Sequence, residues 1–198
     1  IRLMRLNKGG NTYAYITNFD SEHTVTKCTV NEDGNFSNCV NSGAGNLKQP
    51  HDIIFNSATT HAYIVNYGAN TVDVCNVNQS NGDLSGCTNT KAITLKQPYR
   101  IAFNGSYAYI TNNGNNTVTK CTINTGDAKL SQCVAQSIKG LSNLTGIAFD
   151  KLQQYVYITD GYSRVLSVSK VLSNGNLETD TNINLDPNLF YGLTAIAN

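Results

Sequence analysis

Ala14-Tyr15-Ile16-Thr17-Asn18 returns along the chain as Ala62-Tyr63-Ile64-Val65-Asn66, Ala108-Tyr109-Ile110-Thr111-Asn112 and Val156-Tyr157-Ile158-Thr159-Asp160, at spacings of 48, 46 and 48 residues. A shorter apolar stretch precedes the later copies, as Ile53-Ile54-Phe55-Asn56, Ile101-Ala102-Phe103-Asn104 and Ile147-Ala148-Phe149-Asp150. A third stretch follows, as in Asn70-Thr71-Val72-Asp73-Val74-Cys75, and a fourth comes after a Gly-containing turn, as in Gly82-Asp83-Leu84-Ser85-Gly86-Cys87. β-Branched residues and Tyr dominate these stretches, and no segment sustains the 3.6-residue period of an amphipathic helix. Asn and Gly between them tolerate positive φ, so each repeat of about 47 residues predicts a four-stranded antiparallel meander.

Four such meanders in series predict an all-β chain, a β-propeller with blades over residues 1–48, 49–96, 97–143 and 144–192, forming a single domain over 1–198. The recurrent Tyr and the recurrent Phe of the preceding stretch read as packing between neighbouring blades. Leu193-Thr194-Ala195-Ile196-Ala197 repeats Leu144-Thr145-Gly146-Ile147-Ala148, so residues 193–198 read as an innermost strand that closes onto Ala14–Asn18. Residues 2–7 compete for that place with Arg5 where other copies have Ile54, Ala102 and Ala148. On this expectation Ile1–Asn7 is a free arm able to pair with another molecule by strand addition.

The Ala-Tyr-Ile-Thr-Asn stretch, its two or three turn residues and the following Asn-Thr-Val resemble the YVTN-type β-propeller repeat of secreted and surface proteins. The resemblance covers nearly the whole chain. It implies a propeller that serves as a scaffold, a binding module or, in lactonase-like relatives, an enzyme, and those relatives usually carry about seven blades.

Six cysteines fall as Cys28 with Cys39, Cys75 with Cys87 and Cys121 with Cys133, each pair on the third and fourth strands of one repeat. Fifteen connectivities are open to six cysteines, and the repeat selects the pairing within each unit. In the fourth unit both positions change together, to Ser169 and Asp180. The spacing is poor for a zinc site, so three disulfides are expected, and with them a secreted, periplasmic or cell-surface location. Sequons at Asn35, Asn78, Asn104, Asn115 and Asn143 are compatible with glycosylation in a eukaryotic source.

Composition narrows the partners. Of 198 residues 40% are hydrophobic, enough for a sizeable core, but only 14% are charged and the formal net charge is +1. Without a basic cluster or a long apolar run, neither nucleic acid nor membrane insertion is expected. His23, His51 and His61 lack ligand spacing, and no Gly-x-Ser-x-Gly or phosphate-binding loop occurs. No metal or cofactor is expected, and the acids at Glu32-Asp33, Asp83 and Asp127 read as turn formers.

Where repeats agree they maintain the fold, and where they disagree they are free for function. At the start of the innermost strand the copies read His51-Asp52, Tyr99-Arg100, Thr145-Gly146 and Thr194-Ala195. His51, Asp52, Tyr99 and Arg100 are therefore the candidate binding residues, at the channel mouth of a propeller, against the blander alternative of an Asp52–Arg100 ion pair capping it. A second divergent slot is the turn after the Tyr strand: Phe19-Asp20, Tyr67-Gly68, Asn113-Gly114 and Gly161-Tyr162, whose aromatics could stack on sugar faces. The leading expectation is a noncatalytic extracellular scaffold or protein-interaction module that self-associates through its surplus strand. The alternatives are a lactonase-like hydrolase at the mouth, with or without a divalent metal, and a glycan-binding propeller.

Overall fold

The computed structural model describes residues 2–5, 10–20 and 22–185, and every regular element among them is a strand. The chain divides into two compact units, Ile1–Lys91 and Ala92–Asn198. The first unit holds sheet 1, made of β1 (Arg2–Arg5), β2 (Thr12–Thr17), β3 (Val25–Val30) and β4 (Phe36–Asn41), and sheet 2, made of β5 (Pro50–Phe55), β6 (His61–Asn66), β7 (Thr71–Val77) and β8 (Leu84–Asn89). The second unit holds sheet 3, made of β9 (Pro98–Asn104), β10 (Tyr107–Asn112), β11 (Thr117–Ile123) and β12 (Leu130–Ser137), and sheet 4, made of β13 (Leu144–Phe149), β14 (Tyr155–Asp160), β15 (Val165–Val171) and β16 (Leu177–Asn184). All four are antiparallel meanders with strands in chain order.

The middle of the second strand of each repeat is built of Ala or Val, Tyr and Ile, largely buried between its neighbours. In β6 and β10 only the first residue is even half-exposed. Within the first unit, Tyr15 packs its ring 4.8 Å from that of Phe55, in a core with Ile53, Ile64, Val77 and Leu84. The second unit repeats the arrangement, with Tyr109 5.0 Å from Phe149 beside Leu144, Ile147, Ile158 and Leu177. The expected role of Tyr and Phe in joining neighbouring sheets is thus met inside each unit. Each large apolar side chain so buried contributes roughly 1.5–3 kcal/mol relative to exposure.

A lysine adds a polar tie between the two sheets of each unit. Lys27, 7% exposed, lies over the Tyr13 ring, donates to the Asn81 carbonyl at 2.8 Å and pairs with Asp83. Lys120 lies over Tyr107 and donates to the Asn174 carbonyl at 2.8 Å and to Asn176 Oδ1 at 2.7 Å. The aliphatic stem covers the aromatic ring while the ammonium satisfies a turn in the next sheet.

The three expected disulfides are formed: Cys28–Cys39, Cys75–Cys87 and Cys121–Cys133. In each, the first cysteine sits where the register between third and fourth strands shifts, at Lys27/Thr29, Val74/Asn76 and Lys120/Thr122. Sheet 4 keeps the irregularity without the bridge: Val168 faces Thr181 and Ser169 faces Thr179, which leaves Asp180 as the bulged residue.

The ends of the chain require a correction. The innermost strand of sheet 1 is β1, paired with β2 as Arg2↔Tyr15, Leu3↔Ala14, Met4↔Tyr13 and Arg5↔Thr12. The expected free arm is therefore part of the sheet, and the closing strand expected at 193–198 lies outside the described residues. A hairpin between neighbouring segments costs far less loop-closure entropy than pairing segments at opposite ends of the chain. The register also puts Arg2, not Arg5, at the position of Ile54, Ala102 and Ala148, each of which faces the second Tyr-strand position equivalent to Tyr15.

Candidate functional site

In sheets 2, 3 and 4 the start of the innermost strand is fixed by the last residue of the repeat motif. Asn66 Oδ1 accepts the Lys48 backbone N–H at 3.3 Å, and Asn112 Oδ1 accepts that of Lys96 at 3.2 Å. Their carboxamide N–H groups point the other way, to Thr71 in sheet 2 and to Thr117 and Thr119 in sheet 3. A carboxamide suits this place because it accepts on one side and donates on the other. In sheet 4 Asp160 takes over by accepting only: Ser142 and Asn143 N–H on one oxygen, Tyr162 and Ser163 N–H on the other. Burial would raise this carboxyl, but the N–H donors of Ser142, Ser163 and Tyr162 outweigh it and hold the group below its ordinary range.

The same loops bind the turn after the second strand. Tyr67 and Gly68 N–H donate to the Gln49 and Lys48 carbonyls, and Asn113 and Gly114 do likewise to Gln97 and Lys96. The two divergent slots of the repeat, strand start and turn, are thereby held side by side.

In the first unit this brings three rings together. His51 on β5 lies 5.5 Å from Phe19, edge to face, and 6.2 Å from Tyr67, while Phe19 and Tyr67 are 5.7 Å apart. Phe19 comes from sheet 1 and the other two from sheet 2, and Thr17 Oγ1 ties the sheets by donating to the His51 carbonyl at 3.3 Å. All three rings are half-buried. His23, at φ 51°, places Nδ1 3.1 Å from the Phe19 carbonyl and 3.3 Å from the Gln49 N–H. That nitrogen can donate to the first or accept from the second, so the tautomer decides which loop it holds. Asp52, 4% exposed, accepts the Ile53 N–H at 3.0 Å.

Tyr99 and Arg100 stand on β9 of the second unit, with the guanidinium 5.7 Å from the Tyr99 ring centroid and the Arg100 N–H bonded to Thr111 Oγ1 at 3.0 Å. Of the four candidate residues, then, His51 and Asp52 are neighbours on one strand and Tyr99 and Arg100 on another. Phe19 and Tyr67 were legible only as a separate sugar-stacking slot, and His23 carried no sequence signal at all. Among the described residues no group of three or more His, Cys, Asp and Glu side chains is placed to hold a metal ion.

The model of the family described as lactonase, 7-bladed β-propeller, matches residues 22–185. The chain belongs to this lactonase family. Among solved structures, the periplasmic gluconolactonase of Pseudomonas aeruginosa is 16% identical, with a TM-score of 0.70 over 92% of this chain and 56% of its own. A candidate 6-phosphogluconolactonase from Bacteroides uniformis ATCC 8492 is 19% identical, with a TM-score of 0.68 over 93% of this chain and 57% of its own. A chain of the nidogen/laminin complex is 15% identical, with a TM-score of 0.60 over 87% and 61%. Identities this low speak for the fold alone, and this chain spans little more than half the length of the two lactonase-type structures. No curated protein matches the chain.

Membership in the lactonase family overturns the expectation of a noncatalytic scaffold. That expectation rested on missing catalytic signatures and on a surplus strand. Lactone opening requires neither a Gly-x-Ser-x-Gly elbow nor a nucleotide fold, and the arm that would have mediated assembly is β1 of sheet 1.

Proposed function

We propose that this lactonase-family chain carries a site for hydrolysing a sugar lactone in its first unit, at the end of sheets 1 and 2 marked by His51 and Asp52. The carrying observation is the half-buried His51 imidazole clustered with the Phe19 and Tyr67 rings. An imidazole exchanges protons near neutral pH. Here it takes a proton from water as the water oxygen attacks the lactone carbonyl; the ring C–O bond then breaks and the departing alkoxide is reprotonated, giving a hydroxy acid. Phe19 and Tyr67 supply apolar faces for the C–H side of the sugar and limit access of bulk water.

We read the four sheets as propeller blades, the two units as one domain, and the repeat as YVTN-type. The three disulfides support an extracytoplasmic location, because such bridges are reduced in an ordinary cytosol.

The test is pH-stat turnover of glucono-δ-lactone by the oxidised protein and by His51→Ala. Loss of a general base lowers kcat by roughly 100-fold or more. Absence of turnover in the unaltered chain, or full turnover in the variant, rejects the assignment.

A further inference from the structure

Sheet 2 carries a groove of ≈ 400 Å³ whose walls include Asn46, Lys48, Thr71, Asp73 and Asn89, with Gly45 and Gly68 beside them. This volume falls in the range of roughly 300–1,000 Å³ typical of small-molecule sites. Comparison with sheet 3 shows why the groove is open. The incoming loops of both sheets end in Lys-Gln-Pro and share three positive-φ positions, Gly43, Asn46 and Gln49 in one and Lys91, Thr94 and Gln97 in the other. Thr94 is thus the counterpart of Asn46, and Ile93 of Gly45. Asp73 and Thr119 are likewise counterparts, each facing the Ile of the repeat motif across the strand pair. In sheet 3 the two threonine hydroxyls meet at 3.2 Å, so the loop is tied to its third strand. In sheet 2 the same positions hold Asn46 and Asp73 and line open space.

Asp73 stands where the other sheets carry Thr26, Thr119 and Ser167. It is 9% exposed, and burial raises its pKa against the hydrogen bonds of Asn66 and Thr71. A carboxyl group in this setting spans two adjacent hydroxyls, and the carboxamides of Asn46 and Asn89 both donate and accept. Lys48 adds a cation. Uncharged hydrogen-bonding groups around one carboxyl suit a compact, hydroxyl-rich molecule, and a lysine suits one that also bears an acid.

We propose that this groove is a second binding site, for a monosaccharide-sized polyol, distinct from the His51 cluster and independent of whether that cluster hydrolyses lactones. The test is calorimetric titration of the oxidised chain with D-glucose and with D-gluconate. At least one binds with a Kd of about 1 mM or tighter, and Gly45→Ile/Asn46→Thr/Asp73→Thr, which writes the residues of sheet 3 into sheet 2, weakens it by about tenfold or more. Lys48→Gln weakens gluconate and spares glucose. No binding of either probe, or binding that survives the triple variant, overturns the proposal.

Discussion

The Tyr15 hydroxyl donates a 2.6 Å hydrogen bond to the carbonyl of Gly82, and Tyr109 makes the same 2.6 Å bond to Gly175. Each joins the second strand of one sheet to the outer turn of the next. Burial raises the Tyr15 phenol far above its ordinary value and, with Tyr107 nearby, pushes Tyr109 up to about 12 from 10.0. Tyr109→Phe leaves a buried carbonyl without its donor and is expected to cost about 1–3 kcal/mol in urea unfolding. Because the folded pKa is raised, the contribution is complete below pH 10 and is lost as pH climbs toward about 12. Spectrophotometric titration of the native chain should find these two tyrosines ionising only above the ordinary tyrosine value.

The turn that receives Tyr15 has room for glycine only. Gly82 sits at φ +76°, and a Cβ there would lie 2.6 Å from the Tyr15 hydroxyl oxygen; Gly34, at φ +81°, has nothing within 4 Å. Gly34→Ala should cost about 1–2 kcal/mol, the left-handed backbone alone. Gly82→Ala should cost clearly more, since it also displaces the tyrosine. Equal losses in chemical denaturation would show that the contact contributes nothing.

Asp160→Asn tests the loop clamp of sheet 4. An amide offers one oxygen where the carboxylate uses two, so part of the Ser142, Asn143, Tyr162 and Ser163 donor set loses its acceptor, at about 1–3 kcal/mol. With its folded pKa below 3.8, the native carboxyl stabilises fully above that value, and the contribution fades as pH falls through the folded pKa. The variant should lose that part of the acid dependence, read as a flatter midpoint against pH below 4 in thermal melts.

Sheet 4 can be given the bridge it lacks. Ser169→Cys/Asp180→Cys occupies the register positions of Cys28 and Cys39, and closure of so short a loop is expected to add about 3 kcal/mol. The gain should appear without reductant and vanish with it, measured against the single Ser169→Cys variant.

For the proposed site, Phe19→Ala and Tyr67→Ala should raise KM for glucono-δ-lactone more than they lower kcat, because they touch the sugar and not the reacting carbonyl. A kcat loss equal to that of His51→Ala would give them a different role.

Strands, sheet partners and disulfides were legible because each is written in a local or repeated pattern: β-branched runs, glycine turns, cysteines that vanish together at Ser169 and Asp180. The ends were not. Residues 193–198 match an innermost strand better than residues 2–5 do, and identity was weighed above chain proximity. At the site, divergence between repeats picked out His51 and separately Phe19 and Tyr67. Their meeting depends on backbone bonds from Tyr67 and Gly68 to Gln49 and Lys48, which no side-chain pattern encodes. His23 depends on one left-handed loop residue and was invisible for the same reason.

Lys27 and Lys120 bear on how such a chain diversifies. Sheets 1 and 3 carry the lysine and its tyrosine, while sheets 2 and 4 have Val74 and Val168 in its place and supply the turn it reaches. Donor and receiver are therefore inherited best as a pair. Duplicating or deleting a single sheet would strand an ammonium without its acceptor or leave a turn without its cation, whereas copying two at a time keeps every such bond whole.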